Sequence, residues 1–362
     1  VFPDDVADVL NLNNNIITFM DLNRLLRKNI LELKPYSSAR DEFSGEAMVF
    51  LDANENPFNQ PYNRYPDPLQ RELKARIAEL KNLSAGSIFL GNGSDEPIDL
   101  LVRAFCEPGI HRIVQIEPTY GMYQVAAGVN NVEVVKVPLS ADYALDADAV
   151  LGAVTPETRM IFLCSPNNPT GNALDEGGMI RVIRGFDGPV VVDEAYIDFA
   201  PGKSLLSRLP EFSNLIILQT FSKAWGMAGI RLGMAFASPE IISVLNKIKY
   251  PYNLNILTQS KALELLQDQT AVESWVETIL EERARLAEAL SGISYVEKVW
   301  PSDANFLLVR MKEARKVYEF LVAKGIIVRD RSKVMLCENS LRITVGSRTE
   351  NETLIQALRE YN

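Results

Sequence analysis

The stretch Thr220-Phe221-Ser222-Lys223-Ala224-Trp225-Gly226-Met227-Ala228-Gly229-Ile230-Arg231-Leu232-Gly233 places a lysine after a serine and an arginine eight residues further on. Its glycines let the backbone approach a ligand closely. A lysine amine can condense with an aldehyde, and a guanidinium with a hydroxyl suits a phosphate. The pattern therefore fits an aldehyde cofactor that carries a phosphate. A lysine is ordinarily a solvated surface charge. Here its neighbours are small and apolar, and four segments upstream suit the same ligand.

Ser165-Pro166-Asn167-Asn168-Pro169-Thr170-Gly171 follows the apolar run Met160-Ile161-Phe162-Leu163-Cys164, which reads as a buried strand. Its prolines and glycine make an irregular loop at the carboxyl end, where α/β sheets bind ligands. Asn168 there can donate to a ring hydroxyl, although an ordinary Asn-Pro turn has the same sequence. Val190-Val191-Val192-Asp193 makes a second buried strand that ends on a carboxylate. Asp193 can pair with a protonated pyridine nitrogen or, more plainly, cap a helix. Tyr196 is three residues on. Leu90-Gly91-Asn92-Gly93-Ser94-Asp95-Glu96-Pro97 leads into the helical stripe Ile98, Leu101, Val102, Phe105. Ser94 suits an N-cap, and a glycine-led helix start favours phosphate. The partial dinucleotide pattern fails at Glu96. In Pro118-Thr119-Tyr120-Gly121-Met122-Tyr123, Tyr120 can stack on a flat ring or simply pack.

Taken together, K-P-Y-S-S-A-R, A-N-E-N-P, R-Y-P-D, G-N-G-S-D-E, P-T-Y-G-M-Y, S-P-N-N-P-T-G, D-E-A-Y, S-K-A-W-G-M-A-G-I-R and L-R-I-T-V-G span about Pro35 to Gly346. With these motifs the chain resembles the fold-type I pyridoxal-phosphate aminotransferases. K-P-Y-S-S-A-R, R-Y-P-D and the G-N-G-S-D-E form point to their histidinol-phosphate branch. The resemblance implies pyridoxal 5'-phosphate as cofactor, with Lys223 as the Schiff-base lysine and proton shuttle. It implies Asp193 at the pyridine nitrogen, Asn168 and Tyr196 at the ring hydroxyl, and Tyr120 stacked on the ring. Gly93, Ser94, Asp95, Ser222 and Arg231 would hold the phosphate, joined by Tyr65 from a partner subunit of a homodimer. Arg342 would bind the substrate's anionic end, with Tyr36, Arg329 and Asn54 around it. Phe221, Trp225, Met227 and Met234 stand where other large apolar residues are usual, which touches pocket shape and no chemical group. The implied reaction takes an amino group from glutamate to imidazole-acetol phosphate, giving histidinol phosphate, a step of histidine biosynthesis. An aromatic amino-acid aminotransferase and a phosphothreonine-type decarboxylase are the alternatives within this chemistry.

Composition agrees. The chain has 362 residues, 47% of them hydrophobic, enough for more than one core. A net charge of −10 without a basic stripe disfavours nucleic acid as a partner. Cys106, Cys164 and Cys337 make neither a disulfide framework nor a zinc site, and suit a reducing cytoplasm. His111, the one histidine, reads as a solvated loop residue, so a histidine-based metal site or serine triad is disfavoured. No apolar run approaches the roughly 20 residues that span a bilayer.

The expected architecture is α/β, a large domain with a mostly parallel central sheet and a smaller α+β carboxyl-terminal domain. Its division is an arm at 1–45, a cofactor domain at 46–250 and a small domain at 251–362. Strands are expected at 112–117, 132–137, 160–164, 189–193, 215–219 and 233–237, then at 295–299, 305–310, 326–329 and 341–345. Helices are expected after Pro68, at 272–290, 313–323 and 349–360. Residues 1–19 are acidic and asparagine-rich, and Met20 is expected to lie near the natural start; an arm that packs on a partner subunit is the competing reading.

Overall fold

The computed structural model describes residues 20–36 and 48–361; the acidic leader at 1–19 and positions 37–40 of the K-P-Y-S-S-A-R motif lie outside the described residues. A seven-stranded sheet is built from β1 (Ile88–Asn92), β2 (Arg112–Glu117), β3 (Glu133–Pro138), β4 (Thr158–Cys164), β5 (Val190–Asp193), β6 (Leu215–Thr220) and β7 (Leu232–Phe236). The spatial order is β1-β7-β6-β5-β4-β2-β3. Strands β3, β2, β4, β5 and β6 pair in parallel, while β7 is antiparallel to both β6 and β1. The expectation of a mostly parallel sheet holds.

The inner strands β4, β5 and β6 are nearly continuous apolar runs because both faces are covered. Alternate residues enter two different cores. Ile161, Leu163, Val190, Val192 and Ile217 pack in one, and Met160, Phe162, Val191, Ile216 and Leu218 in the other. The short helix Leu22–Leu25 contributes Leu25 and its C-cap Leu26 to the second core, and Ile30 and Leu31 of the helix Lys28–Glu32 pack against it.

A second, antiparallel sheet has the order β10-β11-β9-β8, from β8 (Val296–Val299), β9 (Phe306–Met311), β10 (Arg329–Asp330) and β11 (Ser340–Thr344). One face, with Leu307, Val309, Met311, Leu341 and Ile343, forms a third core with Leu286, Leu321 and Leu358 from flanking helices. On the other face Phe306 and Leu308 join the core of the large sheet. Arg342 pairs across the ladder with Leu308 and so shares that face.

Three elements differ from expectation. β1 is a strand where the sequence reads only as a helix lead-in. The helix Ile256–Leu265 stands in a stretch where no element is expected, with Ala262 buried in the large sheet's core. The strand expected at 326–329 is reduced to Arg329–Asp330. His111 is half-buried, its Nδ1 accepting the Glu107 N–H at 2.9 Å, so it is a loop staple rather than a solvated side chain. No helix among the described residues is long and apolar enough to cross a membrane.

Candidate active site

Strands β1, β2, β4, β5 and β6 all end at one edge of the large sheet. β7 runs the other way, so its start, preceded by Arg231, lies at that same edge. The edge carries a cavity lined by Gly93, Ser94, Asp95, Tyr120, Asn168, Asp193, Tyr196, Ser222, Lys223 and Arg231, together with Cys164, Ala195 and Thr220.

One end of the cavity is built for an anion. Gly93 has φ +71°, and a Cβ there would lie 2.5 Å from Arg231 Nη2. A Cβ on Gly233 would lie 2.2 Å from the Ser94 nitrogen. Both positions must be glycine for the loop to lie against the start of β7. Ser94 occupies the N-cap of the helix Asp95–Phe105, but its hydroxyl does not cap the helix as expected. The first-turn amides are thus left for a ligand, at the positive end of the helix dipole. Arg231 Nη1 donates to Ser222 Oγ at 3.4 Å, and Thr220 Oγ1 donates to the same oxygen at 3.0 Å. Arg231 is left-handed at φ 58°, a conformation costing about 1–2 kcal/mol outside glycine. It lies 3.9 Å from the Asp95 carboxylate, which accepts the Tyr120 hydroxyl at 3.1 Å.

At the other end Asp193 is buried, 2% exposed. Its Oδ1 accepts the Ala195 N–H at 3.0 Å and its Oδ2 accepts the Tyr123 hydroxyl at 2.6 Å. Burial pushes its pKa up to about 6, against the pull of those two donors. Among the described residues no salt bridge to it forms, and the Lys223 charge acts on it only from a distance. Lys223 Nζ lies 5.3 Å from the centre of the Tyr196 ring. Burial lowers the lysine's pKa, and the Arg342 and Arg231 charges lower it further. Both effects favour the neutral amine, the form a nucleophile or base needs.

Asn168 joins the two sheets. Its Oδ1 accepts from Arg342 Nη1 at 2.6 Å, and its Nδ2 points at the Tyr196 hydroxyl at 3.5 Å. Arg342 lies on β11 between β10 and β9, so it is not at a sheet edge, and the same guanidinium lies 5.3 Å from the Phe306 ring. Arg329 is opposite Arg342 in the ladder and exposed. Asp330 does not neutralise it, since that carboxylate bonds Arg315 at 3.2 Å and the Ser332 N–H at 2.9 Å.

Five expected residues do not line this cavity, among them Arg342 and Arg329 on the second sheet. Tyr65 and Asn54 line a separate groove, where Tyr65 stacks on Tyr252 at 4.4 Å. Tyr36 is 70% exposed. Two residues at the site go unnoticed in the sequence. Tyr123 sits one helical turn beyond Tyr120, a spacing that could have pointed to it. Arg331, half-buried beside Tyr196 and Arg342, is hidden by its acidic neighbour.

The donor set fits pyridoxal 5'-phosphate: an amine of lowered pKa, a buried carboxylate without a salt bridge among the described residues, and a glycine-shaped anion cradle on one cavity. The sequence model of "Aminotransferase class I and II" matches residues 7–358. A histidinol-phosphate aminotransferase of Parabacteroides distasonis is 60% identical over 339 residues, 94% of this chain and 98% of that protein. The histidinol-phosphate aminotransferase of Clostridium acetobutylicum superposes with a TM-score of 0.76 at 26% identity, covering 82% of this chain and 90% of that one. That of Sinorhizobium meliloti, in complex with pyridoxal-5'-phosphate, gives 0.76 at 25% identity over 82% of each. Motifs, fold and cavity agree with these matches, and the chain belongs to the class I and II aminotransferase family.

Proposed function

We propose that the chain uses pyridoxal 5'-phosphate to move the amino group of L-glutamate to imidazole-acetol phosphate, yielding L-histidinol phosphate and 2-oxoglutarate. The observation that carries this reading is the pairing of a lysine–aspartate cavity with an arginine face on the second sheet. When bound, the cofactor supplies an aldehyde that links to amines and a ring that takes up the electron pair left by a departing Cα proton. Asp193 would hold the proton on the ring nitrogen, and Tyr123 would keep its carboxylate oriented. Tyr120 would cover one ring face, while Asn168 and Tyr196 would hold the ring hydroxyl. Gly93, Ser94 and Asp95, through their backbone N–H groups, with Ser222 and Arg231, would bind the phosphate.

Lys223 Nζ, as a neutral amine, would take the proton from the substrate's α-carbon and return it to the carbon at the other end of the C–N unit. Its lowered pKa suits both transfers. Arg342 would bind the anionic end of each substrate. A guanidinium fork accepts either carboxylate or phosphate bidentately, which lets one pocket serve both half-reactions. Tyr36, Arg329 and Asn54 would close around that end.

The same reading makes the enzyme a cytoplasmic homodimer with two shared sites, Tyr65 reaching the partner's phosphate. Supporting it, Met48, Leu51, Phe58 and Tyr62, close to Tyr65 in sequence, are all strongly exposed apolar side chains that a partner could cover. The proposed division at 1–45, 46–250 and 251–362 separates the arm, the large sheet and the second sheet.

A substrate panel tests the reaction. Histidinol phosphate, phenylalanine, aspartate and phosphothreonine are compared by kcat/KM, with carbon dioxide release monitored. Histidinol phosphate should be preferred and no carbon dioxide should form. A higher efficiency with phenylalanine or aspartate would refute the substrate assignment, and carbon dioxide from phosphothreonine would favour the decarboxylase.

A further inference from the structure

The face of the second sheet that meets the large one carries an excess of positive charge. Arg329 and Arg342 are cross-strand partners, so their side chains leave the sheet on the same face. The ladder continues one residue further, because the Arg331 N–H donates to the Ser340 carbonyl at 2.9 Å. Strand alternation then returns Arg331 to the face of Arg329 and sends Asp330 to the other, where Arg315 holds it. Like charges directly opposite one another destabilise a sheet. Three guanidiniums on one face, with the intervening carboxylate turned away, therefore need a compensating anion.

Arg331 is the member least served by the protein. It is half-buried, its Nε is buried without a hydrogen-bond partner, and no carboxylate among the described residues pairs with it. The groups whose charge reaches it are Arg342, Arg329, Cys337 and Tyr196. Arg342 is already committed in part, with Nη1 on Asn168. A carboxylate with one charge and two oxygens can be satisfied by the rest of the Arg342 fork. A phosphate monoester carries about −1.5 to −2 charge and three terminal oxygens at neutral pH, which exceeds what that fork can match.

Resting on the substrate reading above, we propose that Arg331 is a specificity-determining residue that binds the phosphate dianion of the substrate and selects it over a carboxylate. Its half-buried position makes the charge cost most in the free enzyme and count most when the dianion arrives. Glutamate, whose carboxylate takes the same place, draws on Arg342 and leaves Arg331 idle.

The test uses the holoenzyme and separates the two half-reactions by single-turnover absorbance, with histidinol phosphate or glutamate as amino donor. Arg331→Gln should lower kcat/KM for histidinol phosphate by about tenfold to a hundredfold, the value of one charged hydrogen-bonding contact. The loss should fall on KM, and the glutamate half-reaction should change little. Arg331→Lys should recover part of the loss. In the wild type, efficiency with histidinol phosphate should fall as pH drops through about 6, where the phosphate dianion takes up a proton and becomes a monoanion, and Arg331→Gln should flatten that limb. Equal losses with both donors, or no loss with histidinol phosphate, would overturn the assignment while leaving the reaction intact. A wild type that ignores histidinol phosphate would instead remove the substrate reading, and this proposal with it. Unchanged cofactor absorbance and a melting temperature no lower than wild type show that the variant is folded.

Discussion

The pair Asp193 and Tyr123 shows how a single residue's surroundings set the chemistry. Burial raises the carboxyl to about 6 and the tyrosine hydroxyl restrains it. A cationic ring needs the ionised form, so cofactor affinity should weaken as pH falls through that value. Tyr123→Phe removes the donor, raises the Asp193 pKa, and should move the midpoint of cofactor binding upward; equilibrium dialysis at several pH values reads this, and an unmoved midpoint would contradict it. Stability of the cofactor-free protein has the opposite sign. A folded pKa above the unfolded one contributes stability that is whole below about pH 4 and is lost as pH rises through about 6. Asp193→Asn should therefore stabilise the cofactor-free protein at pH 7, by at most about 3 kcal/mol, while abolishing most activity. Denaturant melts at pH 4 and pH 7 check it, and an equal effect at both would exclude a charge origin. Lys223, Asp193 and Asn168 were legible because each follows a strand-like apolar run and carries a group that packing does not need. Tyr123 was not, because an aromatic behind Tyr120 reads as core, and it is indeed fully buried. Arg331 was masked because Arg-Asp-Arg looks self-neutralised until strand alternation separates its signs.

At the scale of elements, the site depends on how closely the β1 loop lies against β7. Gly233→Ala would drive a Cβ into the Gly93 and Ser94 backbone, at 2.3 and 2.2 Å, where nothing flexible can yield. The predicted result is a cost of about 1–3 kcal/mol together with weakened cofactor phosphate binding; a variant with wild-type stability and cofactor affinity would show that the loop is not held as described. Strand β1 escaped the sequence because Gly91 and Asn92 have poor strand propensity, and only pairing with β7 makes them extended. The helix Ile256–Leu265 escaped for a related reason. It buries Thr258 and Ala262, small residues that leave no apolar stripe to read. The long strands and the helix Gln269–Ser291 carried their own periodicity and needed no tertiary context.

For the whole molecule, two sheets meet with the Asn168–Arg342 hydrogen bond as the link, and the proposed function takes cofactor chemistry from one and substrate anion recognition from the other. If sites are shared between subunits as proposed, Tyr65 would come from across a two-fold axis. Mixing Tyr65→Phe with Lys223→Ala subunits should therefore recover activity, since each heterodimer holds one site with both defects and one with neither. Activity no greater than the sum of the separate variants would contradict shared sites. Arg342→Ala should harm both half-reactions by about tenfold or more, through loss of a charge-assisted bond. The most direct measurement is the formation of 2-oxoglutarate from glutamate and imidazole-acetol phosphate by the purified holoenzyme, run beside Lys223→Ala. One 2-oxoglutarate per histidinol phosphate from the wild type, and none above background from the variant, is the predicted result. No product from the wild type, or equal turnover by Lys223→Ala, would contradict the account.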